Sequence, residues 1–128
     1  MNVLIVDTSS WISYFKGKSN PDLDLALKES RVFLSPLVTA ELLSGRLKPS
    51  ERLSLVNFLK ELPLCDSFLE HWIKVGELRS RLLLKGLTVS TPDAHVAQCC
   101  LDLEGYLLTE DSIFKSISKI ISLKLLSG

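Results

Sequence analysis

Four apolar residues, Val3-Leu4-Ile5-Val6, run directly into the polar cluster Asp7-Thr8-Ser9. A short, uniformly apolar and largely β-branched run with so abrupt an end reads as a strand buried on both faces, as strands of parallel sheets are. Asp7 then stands at the carboxyl end of that strand. In open α/β sheets ligands gather beyond the carboxyl ends of the strands, which makes Asp7 a site candidate. A second role for the same residue is capping the next helix, a position that favours Asp, Ser and Thr. The choice between the two depends on whether other carboxylates occupy equivalent places.

Downstream, the pattern alternates between helix and strand. Ser9 to Lys16 reads as a short helix with Trp11, Ile12 and Phe15 on its apolar side, closed by Gly17. Asn20-Pro21 opens a second helix through Lys28, and Arg31 to Leu34 is a second strand. Ser35-Pro36 is a cap followed by proline, starting a helix to Ser44; Pro49-Ser50-Glu51 starts another through Leu62. Leu64-Cys65 has the makings of a very short strand, after which Asp66 caps a long helix to about Lys85. Ser90-Thr91-Pro92 starts a helix to Leu103, Gly105 to Thr109 is a buried strand, a short helix runs to Ser118, and Ile120 to Leu125 is an edge strand. Strands alternating with helices along the whole chain predict an α/β fold, a three-layer sandwich with a mostly parallel central sheet flanked by helices.

Three further acids fall at telling places. Glu41 follows Leu37 and Val38 by four and three residues, so its carboxylate shares the apolar row of its helix. A buried glutamate without a partner either binds a cation or protonates, whereas one at the edge of the row is partly exposed and needs neither. Asp93 lies in the first turn of its helix, where the dipole favours a carboxylate; it also heads the stripe Val96, Ala97, Cys100 that faces inward. Asp111 repeats the arrangement of Asp7, with an apolar strand, a nearby hydroxyl, an aspartate and then a helix. If these elements meet, four carboxylates converge with no evident lysine or arginine to neutralise them. Hard divalent cations relieve such crowding, and Mg²⁺ or Mn²⁺ prefers oxygen ligands. Acidic clusters holding one or two such ions are how phosphodiester hydrolases activate water and stabilise phosphate charge.

Charge and composition agree. Fifteen Lys and Arg balance fifteen Asp and Glu; with four carboxylates set aside at a site, an excess of four positive charges remains to meet a polyanion. At 128 residues, 46% of them hydrophobic, and a mean hydropathy of +0.25, the chain is expected to form one domain with some apolar surface covered by a partner. No apolar run approaches the roughly 20 residues of a membrane span, and nothing before Asp7 resembles a secretory signal, so a cytoplasmic protein is expected. Cys65, Cys99 and Cys100 show no C-x-x-C spacing and argue against a disulfide framework.

At these residues the chain resembles a known family. VDTSSWI near the start, TAELLSG in mid-chain, PDAHVA at a helix start and LLTEDSIF late in the chain are together similar to a PIN domain, most closely to the VapC-type toxins of prokaryotic type II toxin–antitoxin pairs. The likeness runs from Val3 to Phe114, and implies that residues 1–128 are a single PIN domain. It also implies Mg²⁺- or Mn²⁺-dependent endoribonuclease activity on an RNA substrate, with Asp7, Glu41, Asp93 and Asp111 as both catalytic and metal-binding residues. Ser9 and Thr109 match hydroxyls that orient the carboxylates. A homodimer, silenced by a cognate antitoxin whose C-terminal segment lies across the active-site groove, is implied too. One departure is Ile113, where many relatives carry a further acid.

Other chemistries find less support. A metal-free ribonuclease wants a histidine pair, and His71 and His95 are the only histidines; His95 stands about 200° round the helix from Asp93, so the two are not expected to share a site. His95 and Cys99, four residues apart, would make half of a zinc site, with Cys65 as a further ligand, but the usual fingerprint spacings are missing. No G-x-S-x-G or Walker sequence is present. A haloacid-dehalogenase-type phosphatase wants a second aspartate where Ser9 stands. The rival from another class is a non-catalytic PIN-like module that binds RNA or protein. Trp11 and Phe15 are candidates for a partner groove, with core packing the alternative for each.

Overall fold

Proline and a capping side chain set the helix starts. Asn20 Oδ1 accepts from the Leu23 amide at 3.0 Å, Ser35 Oγ from Val38 at 3.3 Å and Ser90 Oγ from Asp93 at 3.2 Å, each ahead of a proline in the first two helical positions. The computed structural model describes residues 2–65 and 67–126. Its elements are β1 (Leu4–Val6), α1 (Thr8–Phe15), α2 (Pro21–Lys28), β2 (Val32–Phe33), α3 (Pro36–Leu43), α4 (Pro49–Lys60), α5 (Leu69–Leu84), α6 (Thr91–Leu103), β3 (Tyr106–Leu108), α7 (Ile113–Ser118) and β4 (Lys124–Leu125). The expected cap of α5 at Asp66 lies outside the described residues; the helix starts behind Phe68, whose carbonyl accepts from the His71 amide at 2.9 Å.

The four strands lie in the order β2-β1-β3-β4 and every pair is parallel. Leu4, Ile5 and Val6 face Tyr106, Leu107 and Leu108 in register, while Leu4 and Ile5 pair with Val32 and Phe33 on the other side. The expected strand at Leu64-Cys65 is a single parallel bridge, Leu34 to Leu64. Among the described residues seven helices flank this sheet, in the three-layer α/β arrangement read from the sequence. Leu4, Ile5, Val6, Leu107 and Leu108 are all buried, as strands covered on both faces must be. Among the described residues no helix is long and apolar enough to cross a membrane.

The order in which strands are added to the sheet reverses at β1. From β1 the chain moves outward to β2 on one side; β3 and β4 lie on the other. Such a switch opens a crevice beyond the strand ends, and Asp7 and Thr109 follow β1 and β3 there. The pairing also depends on Gly105. A Cβ on that residue would sit 2.7 Å from the Val3 carbonyl oxygen, a backbone atom that cannot swing aside. Gly105→Ala is therefore expected to destabilise the fold by about 1–3 kcal/mol, read as a lowered denaturation midpoint with an unchanged m-value.

Candidate active site

The β1 carboxyl end presents Asp7 at the first position beyond the strand. Its amide continues the ladder, donating to the Leu108 carbonyl at 2.9 Å, so the backbone pairing with β3 fixes where the side chain emerges. Asp7 occupies the N-cap position of α1, yet its side chain makes no capping bond. The capping role is thereby set aside. Instead its Oδ2 accepts from Thr109 Oγ1 at 3.0 Å and from Ser9 Oγ at 3.3 Å. The two hydroxyls stand 3.5 Å apart and are themselves held by the backbone: the Glu110 amide donates to Ser9 Oγ at 3.1 Å and the Asp111 amide to Thr109 Oγ1 at 3.0 Å. With 8% exposure Asp7 is the buried acid of the group.

The other three stand on other elements. Asp93, in the first turn of α6, is half-buried. Asp111 is exposed beyond β3, with Oδ1 accepting from the Ile113 amide at 3.1 Å, which ties it to the start of α7. Glu41 differs from the buried alternative read from the sequence. Val38 and Leu42 take the inward face of α3, and Glu41, about 100° further round, falls at the exposed rim. There Thr8 Oγ1 donates to its Oε1 at 2.8 Å. Thr8 was not singled out in the sequence; its signal was its place beside Asp7 at the first turn of α1.

The electrostatic coupling among the acids runs through Asp93. Burial pushes the Asp7 carboxyl above its ordinary value, hydrogen bonds from Thr109, the Thr8 backbone and Ser9 oppose that, and the charge of Asp93 adds to the rise. Asp93 is raised as well, by burial first, with Ser90 opposing and the charges of Asp111 and Glu41 adding to it. Asp93 therefore feels all three of the others. Among the described residues no ion pair reaches any of the four; the charged pairs lie elsewhere, as with Lys18 to Glu110 at 2.8 Å. Glu110, beside Asp111 in sequence, is drawn out of the group by Lys18 and Ser13. A cleft lined by Thr109, Glu110, Asp111, Ser112, Lys115, Leu125 and Leu126 opens beside Asp111.

The histidines take no part. His71 and His95 are buried against each other between α5 and α6, with Nε2 and Nδ1 2.7 Å apart. Trp11 is core, whereas Phe15 is 44% exposed beside Leu47, Leu55 and Phe58. Lys74 of α5 reaches Asp102 of α6 at 3.8 Å, and Arg79 Nε donates to the Val89 carbonyl at 2.8 Å, holding the segment ahead of Asp93.

Because the folded state holds protons on Asp7 and Asp93 more tightly than the unfolded chain does, wild-type protein is relieved of repulsion as pH falls through the raised values. Asp93→Asn is expected to stabilise the protein in chelator at neutral pH by about 0.5 kcal/mol, the scale of a partly screened charge interaction. The gain should shrink on acidification toward the carboxylate range. Melting curves of both proteins at several pH values in EDTA check this.

Residues 4–120 match the PIN domain family. A sequence comparison with curated proteins gives no match. Among solved structures the chain is similar to DNA-bound VapBC from Salmonella typhimurium, at 24% identity and a TM-score of 0.80 over 98% of each chain. It is similar to VapBC2 from Rickettsia felis bound to a promoter fragment, at 24% identity and 0.78 over 97% of each chain. VapBC-5 from Mycobacterium tuberculosis, of the VapBC family of toxin–antitoxin systems, matches over 100% of each chain at 17% identity and 0.71. At these identities the structural likeness establishes the fold.

Proposed function

The chain belongs to the PIN domain family, and on that footing we propose that it is a Mg²⁺- or Mn²⁺-dependent endoribonuclease, the toxin of a toxin–antitoxin pair. One observation carries the reading: Asp93 of α6 is coupled electrostatically to Asp7 after β1, to Glu41 of α3 and to Asp111 after β3, without an ion-paired cation among the described residues. A scaffold gains nothing from that repulsion. The donor set is all oxygen, with hydroxyls between the acids and neither histidine nor cysteine among them, which fits a hard divalent ion. Asp7, Glu41, Asp93 and Asp111 would hold it, and when bound it supplies Lewis-acid activation of water and neutralises charge on the phosphate.

The protein's own groups divide the remaining work. Thr109 and Ser9 fix Asp7 through Oδ2, so the central carboxylate meets its ligand in one orientation. Thr8 turns Glu41 toward the group, where it is placed to orient the attacking water. Lys115, beside Asp111, is placed to hold the RNA backbone. With water as nucleophile and the 3′ oxygen as leaving group, the products carry a 5′-phosphate and a 3′-hydroxyl.

The antitoxin partner is supported by the similar structures, which are of VapBC systems. It is supported too by an apolar depression on this chain. Phe15, Leu47, Leu55 and Phe58 line it, and Ile12 is 42% exposed nearby, an apolar surface suited to the nonpolar side of a partner segment. A homodimer fits the exposed leucines of α5, Leu69 and Leu84.

RNA incubated with purified protein and Mg²⁺ is expected to gain 5′-phosphate ends, mapped by sequencing. Asp7→Asn and Asp93→Asn should abolish them, while Thr109→Val should lower cleavage about 10- to 100-fold. Cyclic 2′,3′-phosphate ends, or equal cutting by Asp93→Asn, would refute the mechanism. The non-catalytic module makes the opposite forecast for heat stability: Mn²⁺ would shift the melting of wild type and Asp7→Asn alike, whereas the nuclease reading expects a shift in wild type only.

A further inference from the structure

Between α5 and α6 the fold buries a second constellation, of different chemistry. His71 Nε2 lies 2.7 Å from His95 Nδ1, and Cys99 Sγ lies 3.9 and 3.7 Å from the two ring nitrogens of His95. The ligand atoms of His71, His95 and Cys99 all lie within 4.8 Å of one another, and all three residues are buried. Cys65, also buried, lies outside this group of three but interacts with Cys99 and, with burial, pushes its thiol up.

The imidazoles are held as metal-binding imidazoles are. Each turns one nitrogen toward the other ring and gives its second nitrogen to an outer partner. His71 Nδ1 meets Asp102 Oδ2 at 2.6 Å, with Asp102 itself bonded by Gln98 Nε2 at 2.8 Å; His95 Nε2 meets Ser35 Oγ at 2.6 Å. Such outer anchors fix ring orientation and raise ligand basicity in metal centres. Trp72 stacks on His95, with ring centres 4.7 Å apart and planes within 12°, and fixes the ring's plane. Burial, helped by neighbouring His71, lowers the His95 pKa to about 4, so at neutral pH the ring is in the uncharged form that ligates.

We propose that His71, His95 and Cys99, with Cys65 drawn in from beside Cys99 as the fourth ligand, form a buried site for a thiophilic divalent cation of the zinc class. Two thiolates and two neutral imidazoles make the four-ligand set of structural zinc centres. The balance is one cation in and two thiol protons out to solvent. The proton between the two rings moves to His95 Nε2, facing Ser35 Oγ. Nitrogens bound to one tetrahedral zinc stand roughly 3.3 Å apart, so binding parts the rings by about half an ångström. The site is separate from the carboxylates in place and in ligand class. Its effect is to fasten α5, α6 and the Cys65 segment together, since a cation bound only by folded protein stabilises the fold.

Cobalt(II) tests this in a way the acids cannot imitate, because only thiolate ligands give near-ultraviolet sulfur-to-cobalt absorption. Metal-depleted, reduced protein titrated with Co²⁺ is expected to develop that band and the strong visible bands of tetrahedral cobalt, saturating at one equivalent. One equivalent of Zn²⁺ should erase them and raise the melting temperature. Cys99→Ser should lose the thiolate band or cut it sharply, and lose the Zn²⁺ stabilisation, while Asp93→Asn keeps both. Should Cys99→Ser not fold, the wild-type titration decides alone. Absence of a thiolate band in folded wild type, or an undiminished band in folded Cys99→Ser, would overturn the site and leave a hydrogen-bonded core network. Neither result bears on RNA cleavage, so this site and the nuclease reading fail separately.

Discussion

Everything at the carboxyl edge of the sheet depends on keeping one buried carboxylate in a place that electrostatics disfavours. Asp7 loses solvation and faces Asp93, and both effects push it toward protonation. The protein opposes them with directed hydrogen bonds. Thr109 and Ser9 donate to one oxygen of Asp7, and the backbone after β3 donates in turn to both hydroxyls. The pairing of β1 with β3 thus does two things: it closes the sheet and it delivers the hydroxyls that make Asp7 tolerable. Stability and site geometry meet in the same few residues, a common location for stored unfavourable energy in enzymes.

Neighbouring acids show how finely this is divided. Glu110 and Asp111 are adjacent, yet Lys18 and Ser13 take Glu110 away, while Asp111 stays in the field of Asp93 and is tied to α7. Glu41 sits a hundred degrees off the inward face of α3, far enough round the helix to avoid burial and near enough for Thr8 to hold it. One buried acid, one half-buried and two exposed is an arrangement open to solvent on one side.

A second ordered polar system lies between the long helices. Ser35, His95, His71 and Asp102 form a continuous chain of hydrogen bonds from the start of α3, across α6 and α5, to the outer end of α6. Ser35 also caps α3, so the orientation of the helix bearing Glu41 is linked to the packing of α5 on α6. Buried polar groups with their partners in place specify one arrangement of the elements they join.

Local chemistry made much of this protein readable in its sequence. The apolar run before Asp7, the caps before Pro21, Pro36 and Pro92, and the repeat of the β1 pattern before Asp111 are contacts between residues a few positions apart, and each appears in the structure within a residue or two. The same patterns placed Asp7, Asp93 and Asp111 at element ends, and the alternation of strands with helices gave the parallel α/β class. Tertiary structure alone decided the exposure of Glu41, the part of Thr8, and the meeting of His71 with His95. The last pair is separated by twenty-four positions and lies on two different helices, and His95 taken by itself points away from the acids. Periodicity says which side of a helix is apolar; it does not say which other helix arrives there, because that depends on how many surfaces compete to be buried at once.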